Sequence, residues 1–522
     1  MAKTCLGGLL VTATLMAANV DPPFAAVFES RATFSPHGRI DELVLARLRQ
    51  LGIAPANPCS DAVFVRRAYL DAIGTLPTGE EASAFLADPS PDKRRALIDR
   101  LLERPEFADY WAMKWSDLLR VKAEFPINLW PNAAQAYHRW IWESIRDNKP
   151  YDQMARELLT SSGSNFRVPP VNFYRAMVNR DPRGIAQTVA LTFMGVRAEK
   201  WPAPQLDKMA AFFSQVGSKA TREWKEEIIF FDPSKSPAAK DAILPDGMRV
   251  RLMGDRDPRE VFTDWLTSPR NPWFARAMAN RVWAWLMGRG IVEEADDFRP
   301  DNPPSNPELL AHLEQELIAS HYDLKHLYRL ILNSAVYQLS PIQRSGDPRA
   351  GANFAFYPLR RLDAEVLIDA LCQITGTTEQ YTSAIPEPYT VMPDGERAIN
   401  LPDGSITSSF LELFGKPPRD TGMEAERNNR PSAAQRLHLL NSSHVQRKLE
   451  QSPKLIELMT RNAKDPKAVV TGVYLAILSR PPSEDEWKAV QAYSAAGNAK
   501  GRQAVLDLAW ALINTPEFLC RH

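Results

Sequence analysis

Residues 40–51 read Ile40-Asp41-Glu42-Leu43-Val44-Leu45-Ala46-Arg47-Leu48-Arg49-Gln50-Leu51. Ile40, Leu43, Leu45, Leu48 and Leu51 recur near every 3.6 residues with charges between them, which predicts an amphipathic helix. The same logic carries on along the chain. Asp61 is expected to cap a helix through Leu70. Thr78 and Glu81 stand in the two positions of a capping box. Ser90 is expected to start the next helix, with Pro91 in its first position, leading into an amphipathic stretch over 94–102. A helix over 107–119 puts Trp111 and Trp115 four residues apart on one face, a pattern read first as core packing. Helices are also expected over 137–145, which carries Trp140 and Trp142, over 151–159, and over 184–194 up to Gly195.

The pattern changes at 218–257. Ile228-Ile229-Phe230-Phe231 reads as a strand, and Met248-Arg249-Val250-Arg251-Leu252 alternates as a second. The fold class is therefore mainly α: two helical domains with a short β-containing insert or linker. At roughly 100–200 residues per domain, 522 residues allow two large domains or three smaller ones. The 42 prolines point to helices joined by stiff connections. A long irregular stretch is expected over 380–410.

With 63 basic and 63 acidic residues, the chain has no net pull toward nucleic acid or an anionic membrane. Residues 1–26 read as a signal peptide: Lys3 gives a positive start, an apolar run follows over 6–18, and small residues near 16–18 and 23–26 offer cleavage. Export to the periplasm or the extracellular space is expected. No other window holds the ~18 apolar residues of a membrane helix, so no transmembrane segment is expected in the mature chain. Cys5, Cys59, Cys372 and Cys520 are too few and too scattered for a disulfide framework; one bridge, Cys59 to Cys520, remains open.

Common catalytic and nucleotide-binding signatures are absent: no GxGxxG, P-loop, GxSxG, HExxH or EF-hand loop. His321 and His326 are five apart, and His438 and His444 six apart, so neither pair shares a helix face at i, i+4, and no metal site is expected. The densest polar group runs from Arg281 through Glu293, Glu294, Asp296, Asp297, Arg299, Asp301 and Asn302. Such carboxylates can supply an acid and a base; the preferred reading is that they cap helices and pair with Arg281, Arg289 and Arg299. A second charged stretch, 417–430, holds Glu424, Glu426 and Arg427, ahead of a helix over 433–441. Asp296, Asp297, Glu426 and His444 are the catalytic candidates, and Arg281, Asn302 and Arg427 the binding candidates.

Ordered blocks of sequence then identify a resemblance. Asn271-Pro272-Trp273-Phe274-Ala275-Arg276, Asn280-Arg281-Val282-Trp283, Gly288-Arg289-Gly290, Asp296-Asp297-Phe298-Arg299 and Asn302-Pro303-Pro304-Ser305-Asn306-Pro307 resemble the planctomycete-specific domain of unknown function. Tyr337-Gln338-Leu339-Ser340, Arg360-Arg361-Leu362-Asp363-Ala364-Glu365 and Thr515-Pro516-Glu517-Phe518-Leu519 continue it. Upstream, Phe64-Val65-Arg66-Arg67-Ala68-Tyr69-Leu70-Asp71 and Gly74-Thr75-Leu76-Pro77 resemble its partner, the planctomycete cytochrome-like domain. The resemblance implies helical domains of unknown function at 38–217 and 258–522.

Two departures accompany it. Similar proteins usually carry CxxCH shortly after a helix ending Leu-Gly-Val-Arg, a motif that attaches haem through two thioethers. Here Met194-Gly195-Val196-Arg197 leads into Ala198-Glu199-Lys200-Trp201-Pro202, with no cysteine or histidine. They also tend to carry Cys-x-Cys-Glu-Arg, where this chain has Met423-Glu424-Ala425-Glu426-Arg427. The expectation is a chain without c-type haem or other cofactor, acting as a scaffold or interaction protein toward an exported protein partner or a glycan. Two alternatives stand beside it: a hydrolase or other enzyme on extracellular polysaccharide, and a carbohydrate-binding module stacking sugars on exposed tryptophans such as Trp111, Trp140 or Trp201.

Overall fold

The computed structural model describes residues 27–235, 240–392, 394–497 and 499–522. The expected leader, with Cys5 and both cleavage choices, lies outside the described residues.

The chain begins with α1 (Arg39–Leu51), which buries Ile40, Leu43, Val44 and Leu48 and stops at Gly52, whose φ of 70° suits a residue without Cβ. Val44 fills the core position that the period assigned to Leu45, because the buried stripe is wider than a strict repeat. In α2 (Asp61–Ile73) the cap is Ser60, not Asp61: the Ser60 hydroxyl accepts from the Val63 N–H, while the Asp61 carboxylate is taken by Lys93 and Arg94, each at 2.8 Å. The helix α3 (Gly79–Ala87) carries the full Thr78–Glu81 capping box. Helix α4 (Lys93–Leu102) starts later than Ser90 suggested, since the Ser90 hydroxyl accepts from the Asp92 N–H and holds Pro91 in a turn.

Next come α5 (Pro105–Leu118), α6 (Pro131–Arg146) and α7 (Tyr151–Thr160). Proline in the first turn starts α5 and α6 earlier than their aromatic pattern indicated. Helix α8 (Pro182–Val189) runs on through a π turn, Ala190–Met194, to Gly195 at φ 62°. Helix α9 (Ala203–Ala210) precedes the β segment.

Strand β1 (Gly163–Ser164) joins β2 (Val216–Ala220) and β3 (Glu227–Phe231) in an antiparallel sheet of order β1-β3-β2, with Ser218 opposite Ile229. Strands β4 (Lys240–Ile243) and β5 (Arg249–Leu252) form a hairpin. Then follow α10 (Pro258–Leu266), α11 (Phe274–Met287), α12 (Pro307–Ala319) and α13 (Leu324–Leu332). Strand β6 (Arg360–Arg361) leads into α14 (Ala364–Thr375). The C-terminal part holds α15 (Ala433–Asn441), α16 (Ser443–Glu450), α17 (Pro453–Arg461), α18 (Pro466–Leu478), α19 (Glu484–Ala495) and α20 (Arg502–Ile513), and β7 (Cys520–Arg521) pairs back onto β6. The chain is thus mainly helical with small sheets.

The apolar core runs continuously through both helical parts. Helix α1 packs on α12, α4 on α13, and α3 on α18. At the centre, Trp111 of α5 lies 4.3 Å from Tyr328 of α13 and 5.3 Å from Trp285 of α11, centroid to centroid. Trp111 and Trp115 are each 1% exposed, which makes them core residues rather than a sugar platform. Trp140 is buried and Trp201 half-buried against the same core. Buried arginines tie the chain ends to the middle: Arg66 donates to the Ile477 and Phe518 carbonyls, and Arg67 to those of Leu339 and His522. Cys59, Cys372 and Cys520 are free thiols, so the open Cys59–Cys520 bridge is not formed. Among the described residues, no helix is long and apolar enough to cross a membrane.

Candidate functional site

Charged side chains that leave water need partners, because an unpaired buried ion costs several kcal/mol. The structure gathers such partners where the 423–427 segment crosses α5 and the start of α14. The Arg427 guanidinium reaches Asp117 of α5 at 2.6 Å and Glu365 of α14 at 2.6 Å. Arg419 holds the other Asp117 oxygen at 2.9 Å. Lys114, one turn before Asp117, meets Asp363 at 3.1 Å. Arg521 links Asp363, at 3.1 Å, to Asp71, at 3.0 Å. Asp71 also accepts from the hydroxyls of Tyr337 (3.0 Å) and Tyr357 (2.6 Å), and Asp363 from the Asn429 amide (2.7 Å). Arg427 also lies 3.7 Å from Asp363, which joins the two strings into one network.

Burial and neighbours set the protonation of its members in opposite directions. Burial alone would raise Asp117, but the Arg427 and Arg419 guanidiniums outweigh it and hold the carboxyl below its ordinary range. Burial pushes the Lys114 ammonium down and the Glu424 carboxyl up. Glu424 accepts from the Trp285 indole N–H at 2.9 Å, and its own backbone N–H donates to Asp296 at 3.1 Å. Lys114, Asp117, Gly422, Met423, Glu424 and Arg427 border a cavity of about 10 Å³, space for a single water.

The sequence candidates divide around this point. Asp296 and Arg427 come together at it, through Glu424 and its neighbours. Asp297 faces the other way, toward Arg299 at 3.2 Å and Lys200 at 3.8 Å. The Asn302 amide caps the carbonyls of Glu293 (2.9 Å) and Asp297 (3.0 Å). Glu426 accepts from the backbone of Asp420 (2.8 Å) and Thr421 (3.2 Å). Arg281 is fully buried and donates to the Thr192 carbonyl at 3.0 Å. His444 belongs to a separate cluster: it meets Glu379 at 2.8 Å and His438 at 3.4 Å, while Lys448 lies 3.0 Å from Glu379 and 3.3 Å from the Cys372 sulfur. These residues share no single cavity. A larger cleft, about 380 Å³, lies elsewhere, between His37 and Asp41 at the start of α1, Arg95 and Asp99 of α4, and His326 and Arg329 of α13.

Sequence reading missed Lys114, Asp117 and Asp71 as members of the network. A signal was present: charged residues inside helices that are otherwise apolar are rarely buried unless paired.

The loop after α8 packs on the same region. Gly195 accepts from the Phe298 N–H at 2.9 Å, and Arg197 pairs with Glu294 at 2.5 Å. Ala198 is fully buried, and 198–208 offers neither thiol nor imidazole. These residues do not fit a thioether-bound haem. The segment 293–298 therefore touches two loops: Glu294 and Asp297 face 195–200, and Asp296 faces 424. Among the described residues, no group of three or more His, Cys, Asp or Glu side chains is placed to hold a metal ion.

A continuous helical body with this pair of loops defines a two-part protein whose halves share one core. Residues 39–216 match the family described as protein of unknown function DUF1549, and 258–494 match the one described as protein of unknown function DUF1553. The chain belongs to the proteins that carry these two domains in this order, the planctomycete cytochrome-like domain followed by the planctomycete-specific domain. No curated protein and no solved structure matches it.

Proposed function

We propose that the chain is an exported, non-redox scaffold or interaction protein, periplasmic or extracellular, that keeps the helical body of its family without covalently bound haem. One observation carries this reading. At the loops 195–200 and 423–427 the arginines are held by ion pairs within the fold, Arg427 with Asp117 and Glu365, and Arg197 with Glu294. The cavity beside them has room for about one water. A hydrolase reading draws no support from Asp297, Asn302, Glu426 and His444, which face four different surroundings.

The experiment is isolation of the full chain from the envelope of its native host, after cross-linking in the intact cell. Expected are recovery from the exported fraction, no c-type absorption band after reduction, and a stoichiometric protein or glycan cross-linked to the chain. A covalent haem band, retention in the cytoplasm, or polysaccharide cleavage abolished by Glu424→Gln would overturn the reading.

A further inference from the structure

Three aromatic rings from three distant segments meet on the surface. Trp130 precedes α6, Trp224 sits in the turn between β2 and β3, and Tyr389 belongs to the irregular 380–392 stretch. The Trp130 ring centroid is 6.4 Å from Trp224, with planes at 85°, and 5.4 Å from Tyr389, with planes at 58°. Trp224 is 71% exposed and Tyr389 54%. The Lys225 ammonium stands 5.8 Å from the Trp130 ring and 5.4 Å from that of Trp224.

The backbone holds this arrangement against its own preference. Trp130 has φ 74° and ψ 148°, a region that suits glycine and opposes a bulky side chain. Lys225, at φ 63°, is a second residue in the left-handed region. Neighbouring bonds fix the segments: the Ala384 N–H donates to the Glu124 carboxylate at 3.0 Å, and the Thr221 hydroxyl to Glu226 at 2.7 Å. Exposed rings converging from separate loops mark a binding surface rather than leftover core.

The rings and the cation together specify the ligand. Rings set at steep angles make a corner whose faces stack against the C–H side of a pyranose, leaving its hydroxyl rim in water. Lys225 already occupies the cation position over both indoles, which disfavours a quaternary ammonium ligand. The same ammonium attracts an anion lying beside the ring. Nucleic acid needs a cationic track for its phosphates, and the balanced charge of this chain supplies none in bulk. We infer that Trp130, Trp224, Tyr389 and Lys225 form a binding site for an acidic saccharide, a pyranose carrying a carboxylate or a sulfate. This deepens the interaction reading by naming one partner and rests on it only in that the site binds without converting.

The test is tryptophan fluorescence and calorimetry on the full chain with polygalacturonate, a sulfated galactan and neutral dextran. Saturable binding of at least one acidic polymer, at least ten-fold tighter than dextran, is expected; the two acidic arms separate carboxylate from sulfate recognition. Trp224→Ala, whose side chain is largely in water, should keep the circular dichroism spectrum and weaken binding at least ten-fold. Lys225→Gln should remove the preference over dextran. No saturable binding of either acidic polymer, binding unchanged in Trp224→Ala, or a proline-rich peptide held by the same rings in place of sugar would overturn the inference. A protein partner still cross-linked to Trp224→Ala would leave the broader interaction reading standing while this one fails.

Discussion

Arg427 and Asp117, 310 residues apart in sequence, share two hydrogen bonds through Asp117 Oδ2, at 2.6 and 3.1 Å. The same guanidinium also forks onto Glu365, at 2.6 and 3.1 Å. One planar cation thus ties α5, α14 and the 423–427 loop together. A lysine carries the charge but not the fork. Arg427→Lys is therefore expected to lower unfolding free energy by about 2–3 kcal/mol, read as a lower urea midpoint at unchanged slope.

Gly195 ends the π turn at φ 62°, and a Cβ there would lie 3.0 Å from the Phe298 ring and 3.1 Å from the Ala295 carbonyl. Gly195→Ala combines backbone strain with a collision against the 293–298 segment. A loss of about 1–3 kcal/mol is expected from the strain. Thermal unfolding checks it; an unshifted midpoint would mean that the loop is free to move away.

Helix starts give a smaller and sharper contrast. Removal of the Ser60 hydroxyl strips the cap from α2, and Thr78→Ala breaks the capping box of α3. Each should cost about 1 kcal/mol. Ser90→Ala, at a residue that holds a turn rather than a cap, should cost less, and denaturant titration of the three variants ranks them.

His522 is 4% exposed, and burial, reinforced by the neighbouring Arg66, pushes its imidazole down to about 3. The unfolded chain takes up this proton near pH 6.5, and the folded chain does not. Its contribution to stability is therefore complete above pH 6.5 and is lost as pH falls toward 3. Relative to His522→Gln, the natural chain should lose about 2 kcal/mol between pH 6.5 and 5. Parallel urea titrations at the two pH values measure this difference. Equal losses in both proteins would place the proton elsewhere.

Local chemistry was legible in the sequence where it acts over a few residues. The Thr78–Glu81 box, the helix Ala433–Asn441 and the strands at 228–231 and 249–252 all follow from neighbouring side chains. Ser60 was harder, since the choice between it and Asp61 depended on whether Lys93 and Arg94 would claim the Asp61 carboxylate from the next helix but one. The ion network was legible only in fragments: Asp363, Glu365 and Arg427 lay in noticed motifs, but their pairing with one another and with α5 spans more than 60 residues in every case. The ring cluster left no pattern, because Trp130, Trp224 and Tyr389 come from three loops without periodicity. Trp111 and Trp115, singled out by their helical spacing, went to the core for that same reason: a repeating aromatic face is the face a helix buries.

The polar cluster at 423–427 is a structural network held by its own ion pairs. A double-mutant cycle on Arg427→Met and Asp117→Leu, read by urea unfolding of the full chain at neutral pH, tests this directly. Each single change strands a buried partner and should cost about 3–5 kcal/mol, whereas the double change removes both charges. The predicted result is a coupling energy of about 2 kcal/mol or more, with the double variant less destabilised than the sum of the singles. Additive losses, with coupling near zero, would contradict the account.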